Sequence, residues 1–179
     1  QSAFRSYKLL CDKYGQDKNP YTFTINLSAA FLADETSLDF LRYEFQEYSI
    51  EPETFCFEIT ETAAITNMDT ATHFIREMKE TGCSFALDDF GSGFSSFNYL
   101  RQLPVDYLKI DGIFVKNMHE DSISHAMVEA INSLGHFIGI KTIAEFVAND
   151  KIIEQLKKIG VDFGQGYELG RPAPLEELL

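Results

Sequence analysis

The sequence predicts an α/β domain built on parallel strands, either a sheet or a barrel. Three observations carry this reading. Strand-like and helix-like runs alternate about six times along the 179 residues, which makes the strands parallel with helical crossovers. The chain is 45% hydrophobic, enough for one domain with a sizeable core. A polar residue closes or nearly closes each strand-like run, as in α/β folds that keep their chemistry at the C-terminal ends of the strands.

Ser2 to Tyr14 carries Phe4, Tyr7, Leu10, Cys11 and Tyr14 at helical spacing and stops at Gly15. "QDKNP" is a polar turn, and "YTFTINLS" alternates and is rich in β-branched and aromatic residues, so it reads as a strand ending near Asn26. Asp39 to Tyr48 reads as a helix and "ETFCFEIT" as the second strand. Thr66 to Thr81 reads as a helix capped by Asn67 or Asp69 and closed by Gly82. "SFALDD" is the third strand, Ser95 to Leu103 a short helix, "VDYLKID" the fourth strand, and Ser122 to Leu134 a long helix. "GIKTIAE" is the fifth strand, Asp150 to Ile159 a helix ended by Gly160, "VDFGQGY" a short sixth strand, and "GRPAPLEELL" a Pro-rich exit. No linker divides the chain, so residues 1–179 read as a single domain.

Net charge of -13 with no basic stripe argues against binding a nucleic-acid polymer. A phosphate-bearing ligand would then need metal ions to supply positive charge. The odd set of Cys11, Cys56 and Cys83, with no C-x-x-C pair, fits buried thiols in a reduced, cytoplasmic setting. No apolar run is long enough for a membrane span, and no signal peptide is visible. The chain opens on Gln1 within a helical pattern, which reads as a fragment of something longer.

The strand ends hold the polar residues. Asn26 ends the first, Glu58 lies near the end of the second, Asp88 and Asp89 end the third, Lys109 and Asp111 the fourth, and Glu145 the fifth, while Gln165 sits in the sixth. Alternation puts the large apolar residues on one face and the terminal polar residue on the other. In a barrel these would converge on one mouth. A single acid at a strand end is more often a helix cap, but six strands ending this way are hard to explain by capping. Converging Asn, Glu and Asp oxygens are hard donors that suit Mg²⁺ or Mn²⁺, with Ca²⁺ as a further fit. His73, His119, His125 and His136 fall away from strand ends and read as surface or packing residues. No G-x-S-x-G or Cys-His pair points to a side-chain nucleophile. Adjacent Asp88 and Asp89 make sense if the chain turns at Asp89 so that both carboxylates reach a metal pair, with Gly91 and Gly93 easing the backbone away.

"INLS", "FEITE", "DDFGSGFSSFNYL", "VDYLKID", "TIAEFV" and "GQGYELGRP" stand in the order and spacing of the EAL domain, and the resemblance runs from about Tyr21 to Leu175. It implies a TIM-like barrel. It also implies a domain that opens cyclic di-GMP to linear pGpG with two Mg²⁺ or Mn²⁺ ions, or a catalytically dead relative that only binds the dinucleotide. By the same resemblance Asn26, Glu58 and Asp88 would ligate one ion, and Asp88 and Asp89 the other with Asp111 close by. Lys109 would hold or polarise the attacking water. Glu145 would be a ligand or general base, and Gln165 a further ligand. Glu61 would anchor the loop from Asp89 to Asn98, and Gly170, Arg171 and Pro172 would lie beside a guanine. Family members are commonly dimeric, and fusion to a sensory or GGDEF-type domain is the expected context.

Two departures stand out. The Glu-Ala-Leu strand that names the family, with its ligand glutamate, is absent. The resemblance therefore implies an N-terminally truncated barrel of about six strands, or strands supplied from outside this chain, and weak activity of this chain alone. Ala148 stands where the family usually has a second glutamate, and Phe146 replaces a common glycine. A third class of reading, a Mg²⁺-dependent barrel lyase or isomerase, is weighed against by the "QGYELGRP" tail.

Overall fold

The computed structural model describes residues 2–14, 21–92 and 99–174. They fall into two compact units, one of Gln1–Ile59 with Ala63–Phe85, the other of Thr60–Thr62 with Ala86–Leu179. Six parallel strands are described, against the eight of a closed (β/α) barrel.

In the first unit α1 (Ser2–Tyr14) buries Phe4, Tyr7 and Cys11, as its helical spacing requires. Phe4 meets Phe45 edge-on at 5.3 Å and Phe55 at 5.2 Å, and Tyr7 meets Phe55 at 5.3 Å. Each such ring contributes roughly 1.5–3 kcal/mol by burial. Strand β1 (Phe23–Leu27) pairs in parallel with β2 (Phe55–Thr60), placing Ile25 opposite Phe57 and Asn26 opposite Glu58. Residues Phe55 to Ile59 are all buried, the mark of a strand covered on both faces. A helical turn, α2 (Ala29–Ala33), starts at Ser28, whose hydroxyl accepts from Phe31 N. Helix α3 covers Ser37–Glu47, beginning two residues before the expected Asp39. After α4 (Glu61–Thr66), α5 (Met68–Lys79) is capped by Asn67, whose side chain accepts from Thr70 N. Of the two candidate caps Asn67 therefore serves, and the helix starts at Met68, not Thr66, because a cap residue is itself non-helical.

In the second unit the Ala86–Phe90 part of β3 (Ser84–Phe90), β4 (Tyr107–Ile110), β5 (Lys141–Ala144) and β6 (Phe163–Gly164) pair in parallel in that order. The β3–β4 register shifts between Leu87 and Phe90, and Asp89 has a φ of 56°. The aspartate pair thus sits on a bulge inside β3, which continues to Phe90, and not on a turn that ends the strand. Strand β6 is shorter than expected, and Gln165 lies just beyond it. Asp111 likewise lies past β4, where it caps the one-turn helix α6 (Gly112–Val115) by accepting from Ile113 N at 2.8 Å. The expected helix from Ser95 to Leu103 falls partly outside the described residues. Its described part is turn, closed by Gln102 N donating to Tyr99 O.

Helix α7 runs Ser122–Phe137, past the expected Leu134 and through Gly135. That glycine is tolerated because a Cβ there would press on Thr142 at 2.9 Å. Helix α8 (Asp150–Ile159) is capped by Asn149 and closed by Gly160 at a φ of 83°. All three cysteines are free and buried, and burial pushes the Cys83 thiol up to about 11. Among the described residues no helix is long and apolar enough to cross a membrane.

Candidate metal site

The strands of the second unit end in a staircase. Asp111 N donates to Phe90 O at 3.3 Å, Glu145 N to Ile110 O at 3.2 Å, and Gln165 N to Ala144 O at 2.8 Å. Each first residue past a strand is therefore held by the last carbonyl of the strand before it. The side chains of Asp88, Lys109 and Glu145 are drawn together at this edge.

Lys109 is 2% exposed, and its Nζ lies 2.8 Å from Asp88 Oδ1 and 2.9 Å from Glu145 Oε1. Burying an ammonium is tolerable only with such partners. Asp89 joins Asp88 and Glu145 in a group whose candidate ligand atoms all lie within 4.8 Å of one another. Asp88 and Glu145 share one ammonium and the exposed Asp89 lies beside them, so the cluster holds two negative charges in surplus when all are ionised. The imbalance appears in the titrations. Burial pushes the Glu145 carboxyl up despite the opposing pull of Lys109, and Asp88 and Asp89 add to the rise. Asp89 is also raised, by burial first and then by Asp88 and Asp111, against Lys109.

The donor set fits a hard divalent cation. It is all oxygen, anionic and in excess of its own counter-charge. Asp88 Oδ1 is enclosed and has the ammonium as charge partner without a well-angled hydrogen bond, leaving it a lone pair to offer. The bulge makes this possible. On a regular strand Asp88 and Asp89 would point to opposite faces, whereas the left-handed Asp89 redirects its carboxylate. That conformation costs about 1–2 kcal/mol, least for Asp and Asn.

Glu61, at the start of α4, ties the chain on either side of residues 93–98. It accepts from Gly91 N at 3.3 Å and from Tyr99 Oη at 2.5 Å. Asp111 spends one oxygen on its helix cap. Gln165 is exposed and lines a pocket of about 350 Å³ with Glu145, Phe146, Ala148 and Tyr167. Residues 165–167 line this pocket and are tied to Val147. Val147 N donates to Gln165 O and Glu168 N to Val147 O, while a Cβ on Gly166 would strike the Val147 backbone at 2.3 Å. Only glycine fits there. The Arg171 guanidinium lies 5.8 Å from the centre of the Tyr167 ring, and Gly170 and Pro172 are exposed.

Of the residues singled out from sequence, the second unit gathers Asp88, Asp89, Lys109 and Glu145 directly. Asn26 and Glu58 are cross-strand neighbours in the first unit, Asn26 exposed and Glu58 buried. Sequence reasoning missed Tyr99 as a partner of Glu61 and Tyr167 as the rest for Arg171. Both are aromatic residues with a polar or π handle inside motifs already noted, which is the signal that was available.

A family model of the EAL domain matches residues 5–172. The chain is 46% identical over 155 residues to cyclic di-GMP phosphodiesterase PdeB of Shewanella oneidensis, covering 87% of this chain and 18% of that protein. It is 35% identical over 175 residues to cyclic di-GMP phosphodiesterase PdeA of Borreliella burgdorferi, covering 98% of this chain and 26% of that one. The chain thus spans about a quarter or less of the length of these relatives. Among solved structures, the PaMucR phosphodiesterase in complex with c-di-GMP superposes with a TM-score of 0.90 at 35% identity, over 99% of this chain and 71% of that one. The FimX EAL domain superposes with a TM-score of 0.87 at 26% identity, over 95% of this chain and 68% of that one. With motif, sequence and fold in agreement along almost all of its length, the chain belongs to the EAL-domain family and has that family's TIM-like α/β fold.

Proposed function

We propose that this chain, residues 1–179, is a single EAL-type domain of a longer protein that hydrolyses cyclic di-GMP to linear pGpG with two divalent cations, Mg²⁺ or Mn²⁺, and that the chain alone turns over weakly. The observation that carries this is the buried Asp88–Lys109–Glu145 cluster with Asp89 beside it, two negative charges in surplus. In this reading Asn26, Glu58 and Asp88 would hold one ion and Asp88 and Asp89 the other, with Asp111 close by and Gln165 as a further ligand. The cations supply positive charge against the phosphate oxygens and a water of lowered pKa. Lys109 would position the attacking water by its ammonium, and Glu145, its carboxyl raised by burial, would take the proton. Water oxygen bonds to phosphorus, the opposite P–O bond breaks, and the leaving sugar oxygen is protonated, giving a linear dinucleotide with a terminal phosphate. Glu61 holds the chain flanking the bulge through Gly91 and Tyr99. Gly170, Arg171 and Pro172 contact a guanine.

One of the relatives, MucR of Pseudomonas aeruginosa, is a bifunctional diguanylate cyclase and phosphodiesterase. A comparable fusion to a cyclase-type or sensory domain, with this domain in the cytoplasm, is the context proposed here. Ala148, where the family usually has a glutamate, favours a second reading as a cyclic di-GMP receptor without turnover. Incubating the full-length protein with cyclic di-GMP and Mn²⁺, with products separated chromatographically, decides between them. Metal-dependent pGpG is the expected result. Tight binding without product would establish the receptor, and neither binding nor product would refute both.

A further inference from the structure

Three non-glycine residues of the described chain have positive φ, and two of them, Asp89 and Phe146, adjoin the carboxylate cluster. Asp89 is explained by the bulge. Phe146, at a φ of 52°, has no such explanation inside the fold. An aromatic residue is poorly suited to the left-handed region, and nothing is gained by burial, because Phe146 is 66% exposed. Its ring is nonetheless held in place. A Cβ on Gly112 would meet Phe146 Cδ2 at 2.0 Å, so the Phe146 side chain fills the space left open by that glycine after β4. It forms one wall of the pocket of about 350 Å³ that also contains Glu145 and Gln165, and Tyr167, itself 69% exposed, lines the same pocket.

A large, exposed aromatic face packed on Gly112 beside the carboxylate cluster is suited to a flat heterocycle. We propose that Phe146 is a stacking platform for a purine base of the dinucleotide, an inference that rests on the reading of this domain as a cyclic di-GMP site. A phenylalanine in place of a glycine at this left-handed position would then exchange backbone ease for a base contact. Stability and affinity should therefore move in opposite directions when the ring is removed.

The test uses the full-length protein with Ca²⁺, a hard cation that occupies oxygen sites, and titrates cyclic di-GMP by calorimetry. Wild type should bind. Phe146→Gly should bind about tenfold more weakly while its thermal midpoint stays the same or rises, and Phe146→Tyr should keep affinity within about threefold. If Phe146→Gly binds as well as wild type, or if its midpoint falls together with its affinity, or if Phe146→Tyr loses as much as Phe146→Gly, the platform is refuted and the wider reading stands. Failure of the wild type to bind cyclic di-GMP would overturn the wider reading and the platform with it.

Discussion

Strand β5 carries a polar cluster at each end, and the two are built to different rules. At its start, Asp162 accepts from Thr142 N at 2.8 Å and pairs with His136 Nε2 at 2.8 Å. The Thr142 hydroxyl donates to Asn132 Oδ1 at 2.5 Å, and Asn132 Nδ2 donates to Ile159 O at 3.2 Å. Donors there match acceptors, and one carboxylate meets several of them. At the other end, three carboxylates crowd one ammonium. The lower network needs nothing from outside and fastens α7 and α8 to the strand. The upper one has carboxylates in excess of its one internal cation, as the proposed cation site requires. A polar network alone therefore does not mark a site; a buried cluster with unbalanced charge does.

Breaking the upper cluster at the group with most to offer a cation should have the largest effect. Asp88→Asn keeps the shape but removes the charge. Turnover of cyclic di-GMP by the full-length protein should fall by more than about a thousandfold, since several kcal/mol of transition-state stabilisation are at stake. Near-normal turnover would show that Asp88 does not hold the ions.

The next largest effect falls on stability. Lys109→Met removes the shared counter-charge and leaves Asp88 and Glu145 facing each other. In metal-free buffer near neutral pH, denaturant unfolding should show a loss of roughly 3 kcal/mol. A change below about 1 kcal/mol would mean that the carboxylates had already taken up protons.

The lower cluster should respond more mildly and without touching the chemistry. Asp162→Asn should lower stability by about 1–2 kcal/mol with turnover unchanged. Burial pushes the Asp162 carboxyl up, but the hydrogen bonds from Thr142 and His136 outweigh it and leave the group below its ordinary 3.8. A depressed carboxyl stabilises the fold above its unfolded value and loses that contribution as pH falls through the folded value. Wild-type stability should therefore drop on acidification below about pH 4, and Asp162→Asn should flatten that slope. Glu145 has the opposite sign. Its raised carboxyl penalises the fold as pH rises from its ordinary 4.5 through the folded value, and a bound cation should remove the penalty. Parallel acid slopes in wild type and Asp162→Asn would contradict the contrast between the two ends.

Much of this was legible in the sequence. Strands β1 to β5 were visible because apolar, β-branched runs stop abruptly at Asn26, Glu58, Asp88, Lys109 and Glu145, and a polar residue inside a buried strand is expensive unless it has a task. The bulge at Asp88 and Asp89 was not legible, because it arises from the register against β4, a long-range relation. The single-turn helices α2, α4 and α6 escaped for a different reason. Gly-Ile-Phe-Val is a poor helix by propensity, and only the Asp111 cap and tertiary packing make one of it. The sequence identified Phe146 as a departure but could not show its left-handed backbone or its exposure. The role of Lys109 as the shared counter-ion of two acids likewise depends on distances that only the folded strands provide.

The most direct test is a Mn²⁺ titration of the full-length protein followed by calorimetry or electron paramagnetic resonance. Saturable binding that Asp88→Asn weakens at least tenfold is the predicted result. Absence of binding, or affinity indifferent to Asp88, would contradict the claim that the surplus carboxylates of this cluster are there to hold cations.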